Sequence, residues 1–221
     1  RVLGRGNDVF MFRELHFFEE LYNPQAGDEP LSTDKAIQLI TVLLARQRND
    51  DFRPGEVDDF RSEAHELVEQ LSKPLTPTRV FSCFLSYEAN RNGKTIPLEQ
   101  TPRNVFYLDW ILSKYPNAYV INMVRDSRDT VLSQKLKHRR FWNDPQVPRR
   151  QCIRFWANYH PITISMLWNS SIKAAGRFRD HPRVFSLRFE ELIDNPGYHI
   201  HEVCSFLDAA FSPHMLKVSH I

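Results

Sequence analysis

The chain has 221 residues, 42% of them hydrophobic, with 29 Lys and Arg against 27 Asp and Glu. That is enough for one well-cored domain, and a second would be cramped. A net charge of +2 excludes a nucleic-acid binder working by bulk charge, though not a local anion pocket.

The longest nearly apolar window, Ala36 to Ala45, is about half of what a bilayer span requires, and no secretory leader opens the chain. Cys83, Cys152 and Cys204 are far apart and odd in number, which points to a reducing, cytoplasmic compartment rather than a disulfide framework or a zinc pair. The nine histidines are scattered; His199 and His201 lack grouped carboxylates, and His16 stands beside phenylalanines, so no metal site is expected. The opening RVLGRGN reads as the last turn of a helix closed by Gly4 or Gly6, and the chain stops at SHI. Both ends read as cuts through something larger.

In chain order, Asp8 to Phe12 reads as a strand leading into the helical stretch ELHFFEELY. Ser32 to Arg46 is a helix with Ser32, Thr33 and Asp34 as cap candidates. NDDFRPG is a loop, and Glu56 to Leu71 puts Phe60, Ala64, Leu67, Val68 and Leu71 on one helical face. Arg79 to Asn90 is a further helix, Thr95 to Glu99 a short strand, and Asn104 to Tyr115 a strong helix. Then come a strand over Ala118 to Val124, a helix from about Arg128, and a long aromatic helix from about Arg149 to Phe178 that Pro161 should kink or divide. Trp142, Trp156 and Trp168 are expected to pack that helix. Arg183 to Phe189 is the last strand and HIHEVCSFLD the last helix.

Strands separated by helices argue for a parallel sheet covered on both faces, with ligands at the carboxyl ends of the strands. Three such ends carry polar residues: Arg13-Glu14, Glu99-Gln100-Thr101 and Arg125-Asp126. In VRDSRDTVLS the strand stops on Arg125, and the next helix carries Ser133. A guanidinium and a hydroxyl converging there make a seat for a phosphate, with charge-assisted bonds worth roughly 1.5–3 kcal/mol each. The competing reading pairs Arg125 with Asp126 or Asp129 while Ser133 packs on its helix. Lys137 lies in KLKHRR, which reads equally as a solvated helix face.

INMVRDSRDTVLSQ resembles the 3′-phosphate-binding segment of sulfotransferases that use 3′-phosphoadenosine 5′-phosphosulfate (PAPS). Three more stretches agree in order and spacing. NDVFMFRELHFFEEL is similar to the segment following the phosphosulfate loop, and IPLEQTPRNVFYLDWILSKYPNA to the "EKTP" segment and its helix. VFSLRFEELIDNP with FLDAAF is similar to the "RYEDL…P…FLG" stretch. The resemblance spans about Asp8 to Phe211 and implies a three-layer α/β/α fold with a parallel sheet, like the P-loop nucleotide kinases. It implies that Arg125 and Ser133 grip the ribose 3′-phosphate, with Lys137 a further basic contact. It places Glu14 as the first candidate base and Glu99 as its rival. Gln100 stands where the family has a lysine, and Phe189 at a cofactor-side position where a tyrosine is common.

The resemblance therefore implies a PAPS-dependent sulfotransferase, without a metal, acting on a hydroxyl or amine of a small-molecule, carbohydrate or peptide acceptor. Residues 1–221 are expected to be a single domain trimmed at both ends, with the largely helical 15–100 on the acceptor side. The sulfate-binding loop is expected before Arg1, so the chain as given is not expected to turn over. Two other readings remain open: a P-loop small-molecule kinase, and a non-catalytic relative that binds a nucleotide or a protein.

Overall fold

The computed structural model describes residues 2–49, 57–134 and 148–217. The chain divides into two units, Arg1–Pro116 with Leu207–Ile221, and Asn117–Phe206. In each, two parallel strands are joined through helical connections, as parallel pairing demands.

In the first unit, β1 (Val9–Met11) pairs with β2 (Ile96–Leu98), Val9 opposite Ile96 and Met11 opposite Leu98. Backbone bonds close the pair at both ends: the Thr95 and Ile96 amides donate to the Asp8 carbonyl, and Phe12 N–H donates to the Leu98 carbonyl at 2.9 Å. Three helices lie between these strands: α1 (Thr33–Arg48), α2 (Arg61–Glu69) and α3 (Pro77–Arg91). The Ser32 hydroxyl caps α1 by accepting from Lys35 N–H at 3.3 Å, and apolar spacing of three and four buries Ala36, Ile37, Ile40, Leu43 and Leu44. Thr76 caps α3 ahead of Pro77, which sits where a missing N–H costs nothing. The core is largely aromatic. Phe17 stacks on Phe81 with ring centroids 3.9 Å apart, Phe12 meets Phe84 at 5.7 Å, and Trp110 closes over Phe18, Tyr22 and Tyr115.

Two helices expected from the sequence break up here. Glu14 and Leu15 lie outside any helix, His16 takes φ 50°, and the only turn of the stretch is a π-helical one over Phe17–Leu21. Leu15, Phe17 and Phe18 are all buried. A regular helix from Glu14 would turn Leu15 and Phe17 about 200° apart, so the chain kinks at His16 to send all three inward. The stretch expected as one helix over Asn104 to Tyr115 is a 3-10 segment, Pro102–Tyr107, followed by α4 (Leu108–Lys114). The opening RVLGRGN holds a 3-10 turn over Leu3–Arg5 and no left-handed glycine cap, since Gly6 has φ −64°. Most of NDDFRPG lies outside the described residues.

The second unit pairs β3 (Val120–Val124) with β4 (Val184–Arg188), Val124 opposite Arg188. The chain leaves β3 through α5 (Ser127–Gln134) and returns through α6 (Arg149–Asn158) and α7 (Pro161–Gly176). Pro161 divides the expected long helix as its chemistry requires: His160 caps α7 through its ring, accepting from Ile162 N–H, and the proline opens the first turn. After β4 come α8 (Phe189–Asp194) and α9 (Pro196–Phe206), whose Ile200, Val203 and Cys204 are buried. No helix among the described residues is long and apolar enough to cross a membrane.

One ion cluster ties the three helices of the first unit. Arg48, at the end of α1, makes a bidentate pair with Glu63 of α2 at 2.6 and 2.8 Å and reaches Glu88 of α3 at 2.5 Å. Tyr87 donates to the same Glu63, and Glu88 is only 2% exposed. Arg48→Ala leaves that carboxylate buried without its cation, and urea unfolding is expected to show a loss of about 3–5 kcal/mol. A loss under about 1 kcal/mol, the size of a surface pair, would contradict this. Arg48 also holds the Glu63 carboxyl down at about 2. Because the folded value lies below the unfolded one, near 4.3, this stabilisation is present above that unfolded value and is lost as pH falls through about 2. Acid titration of stability should lose this component in Arg48→Ala.

Candidate functional site

The carboxyl ends of β1 and β2 are adjacent, so the loops leaving them meet. Glu99 joins them: its Oε1 accepts from Leu15 N–H at 3.4 Å and from the Thr101 hydroxyl at 2.5 Å, and its Oε2 accepts from the Asn104 amide. Thr101 Oγ1 in turn accepts from His16 N–H at 3.2 Å, fixing the kink. Burial pushes the Glu99 carboxyl up, against the pull of the Thr101, Leu15 and Asn104 donors. Arg103, only four residues from Glu99, pairs with Glu19 at 2.5 Å.

Glu14 is half exposed and makes none of these structural bonds. Its Oε2 lies 3.6 Å from His16 Nε2, while His16 Nδ1 lies 3.1 Å from Glu19 Oε2. The histidine thus stands between two carboxylates, with Arg103 fixing the far one. The kink creates this arrangement, and a helical reading of ELHFFEEL hides it. Ligand atoms of His16, Glu19 and Glu20 could approach one ion, but Glu19 is paired with Arg103 and Glu20 with Arg46 at 2.7 Å. An open groove of about 520 Å³, lined by Gly4, Arg5, Val9, Phe10, Met11, Asn92 and Lys94, lies toward the other end of the same strands and holds no candidate residue.

In the second unit, β3 ends where the sequence places an anion seat. The exposed Arg125 guanidinium lies 4.9 Å from the Phe189 ring centroid, as a cation–π pair across the ends of β3 and β4. Among the described residues no carboxylate pairs with it. Asp126 is taken by Arg128, at 2.9 Å between Oδ2 and Nη2, and caps α5 by accepting from Arg128 N–H at 2.8 Å. That pairing holds the Asp126 carboxyl well below the usual range. Ser133 is exposed on α5, and its hydroxyl donates to the Thr130 carbonyl at 3.0 Å. Lys137 and Trp142 lie outside the described residues. Trp168 donates to the Arg125 carbonyl at 2.9 Å, while Trp156 is 48% exposed, so the expectation that it packs its helix does not hold.

A sulfotransferase family profile, described as "Sulfotransferase family", matches residues 2–213. The chain belongs to that family. It is similar to a Caenorhabditis elegans protein provisionally named a protein-tyrosine sulfotransferase, 25% identical over 140 residues, 62% of this chain and 49% of the relative. The chain thus spans about half the length of that curated relative. Among solved structures it resembles the sulfotransferase domain from the curacin biosynthetic pathway, with TM-score 0.52 and 16% identity over 98% of this chain and 70% of that one. A sulfotransferase from Alicyclobacillus acidocaldarius matches with TM-score 0.51 and 17% identity over 100% of this chain and 79% of that one. These likenesses establish the fold: α/β, with parallel strands, of the P-loop-like sulfotransferase type.

Within this sulfotransferase-family chain, the structure brings Glu14 and Glu99 to one strand-end cluster and Arg125 and Phe189 to another. Sequence reasoning missed His16 between its two carboxylates, and the bonds from Trp168 and Glu190 to the backbone beside Arg125. The spacing of Glu14, His16 and Glu19 was visible, but only the kink turns it into a cluster. A carbon-13 NMR titration of the glutamate carboxyls is expected to place the Glu99 midpoint above the ordinary value of about 4.3, because burial outweighs its donors. A midpoint at or below the ordinary value would overturn that balance.

Proposed function

We propose that the intact protein transfers a sulfuryl group from PAPS to an acceptor hydroxyl or amine, and that Arg125 receives the donor's 3′-phosphate. The supporting observation is the Arg125 guanidinium: it ends a parallel strand, rests on an aromatic ring and has no carboxylate partner among the described residues. A cation left uncompensated at a strand's carboxyl end suits a dianionic phosphate. Ser133 would add a hydroxyl after releasing the Thr130 carbonyl, and Lys137 a further cation.

In the transfer, the acceptor oxygen or nitrogen forms a bond to sulfur as the bond between sulfur and the phosphate oxygen breaks. The products are the sulfated acceptor and 3′-phosphoadenosine 5′-phosphate. Positioning and charge stabilisation carry such a reaction, and no nucleophilic side chain is required. A base takes the acceptor's proton. Glu14 suits this role better than Glu99, because Glu99 is committed to three donors from two loops whereas Glu14 is half exposed and, among the described residues, pairs with His16 alone. In this account His16 orients Glu14 and Glu19 orients His16. The acceptor is a small molecule, carbohydrate or peptide recognised within residues 15–100; the near-neutral charge does not favour nucleic acid. Three cysteines, odd in number and far apart in the sequence, favour a reducing, cytoplasmic location.

Calorimetry on the full-length protein tests the donor assignment. 3′-Phosphoadenosine 5′-phosphate is expected to bind at least about tenfold more tightly than ATP, and Arg125→Ala to abolish the preference. Equal affinities in the unmutated protein would refute it. For the base, Glu14→Gln is expected to lower kcat by about 10²–10⁴ while Glu99→Gln acts chiefly on stability. The opposite pattern would exchange their roles.

A further inference from the structure

The peptide unit between Arg125 and Asp126 is gripped at both ends. Its carbonyl accepts from the Trp168 indole N–H at 2.9 Å, and its N–H donates to Glu190 Oε1 at 2.8 Å. These partners come from different elements, Trp168 from α7 and Glu190 from the first turn of α8. The residue before Glu190 is Phe189, whose ring supports the Arg125 guanidinium. The other Glu190 oxygen, Oε2, is shielded from water without a hydrogen-bond partner, with Arg188 Nε at 3.8 Å. Glu190 is thus committed through one oxygen to one backbone amide, while the other keeps only the long ion pair with Arg188 and no hydrogen bond among the described residues.

We infer that Trp168 and Glu190 are positioning residues that fix the Arg125–Asp126 peptide plane and thereby aim the Arg125 side chain at the donor's 3′-phosphate. A peptide plane held by its oxygen and its hydrogen cannot rotate, so ψ of Arg125 and φ of Asp126 are set together. The side chain then departs from a fixed Cα, with the Phe189 face limiting its sweep. An arginine with no carboxylate to orient it among the described residues needs such support, because an unrestrained arginine must lose its rotamer freedom when the phosphate arrives. The inference rests on the proposed role of Arg125.

The experiment measures, in the full-length protein, the ratio of Kd for adenosine 5′-phosphate to Kd for 3′-phosphoadenosine 5′-phosphate. This ratio isolates what the 3′-phosphate adds. Trp168→Phe keeps an aromatic ring and removes the donor. Glu190→Ala and Glu190→Gln both remove the negative charge, but only alanine removes the acceptor. The ratio is expected to fall about five- to tenfold in Trp168→Phe relative to the unmutated protein, and in Glu190→Ala relative to Glu190→Gln. Adenosine 5′-phosphate affinity should stay constant. Equal losses for both nucleotides would mean a merely structural role and overturn the inference. An unchanged ratio in both variants, with the ratio abolished in Arg125→Ala, would overturn it while leaving the donor assignment intact. A ratio that survives Arg125→Ala would defeat the donor assignment itself. Should the variants not fold, amide exchange in the unmutated protein decides: the Asp126 N–H is expected to be protected, and exchange at the rate of an open chain would refute the clamp.

Discussion

A guanidinium that is to hold an anion must be kept from carboxylates and yet kept in place, and the end of β3 meets both needs. Asp126, its sequence neighbour, is removed from competition by capping α5 and pairing with Arg128. Glu190, which also lies close, spends its bonded oxygen on a backbone amide. What remains for Arg125 is the face of Phe189 and a peptide unit anchored by Trp168. The ring restrains the cation without neutralising it. A tyrosine at 189, as the family resemblance would supply, has the same ring; the phenylalanine gives up a hydroxyl and keeps the support.

The same architecture serves the first unit with opposite charge. Parallel pairing aligns the carboxyl ends of β1 and β2, so residues that follow two strands distant in sequence become neighbours. Glu99 fastens the two departing loops together, and the kink at His16 sends three large apolar side chains inward while leaving Glu14 at the surface. The aromatic core below, above all Phe17 stacked on Phe81, requires the kink as much as the hydrogen bonds do. Core packing and site geometry are thus one constraint. Farther from these loops, the Arg48 cluster binds the three helices inserted between the strands.

Much of this was legible in the chain itself. Short β-type runs and helical spacing located the four strands of the described residues and most of their helices to within a few residues, and Pro161 marked its break correctly. The four motifs in register named the family. What was hidden depended on tertiary choices. ELHFFEEL has helix-forming composition, and only the depth of the core beneath it forces a π-turn and a left-handed histidine. Asn104 reads as an early helix residue, but its side chain is committed to Glu99. Trp168 reads as packing, and only the fold brings its N–H to a carbonyl 43 residues away. Side-chain-to-backbone bonds across elements leave no periodic trace in a sequence.

The most direct test is a crystal structure of the full-length protein with 3′-phosphoadenosine 5′-phosphate. The 3′-phosphate is expected within hydrogen-bonding distance of the Arg125 guanidinium, with the Phe189 ring still beneath it and the Trp168 and Glu190 bonds to the Arg125–Asp126 peptide unchanged. A nucleotide whose 3′-phosphate lies elsewhere, with Arg125 turned away or paired to a carboxylate, would contradict it.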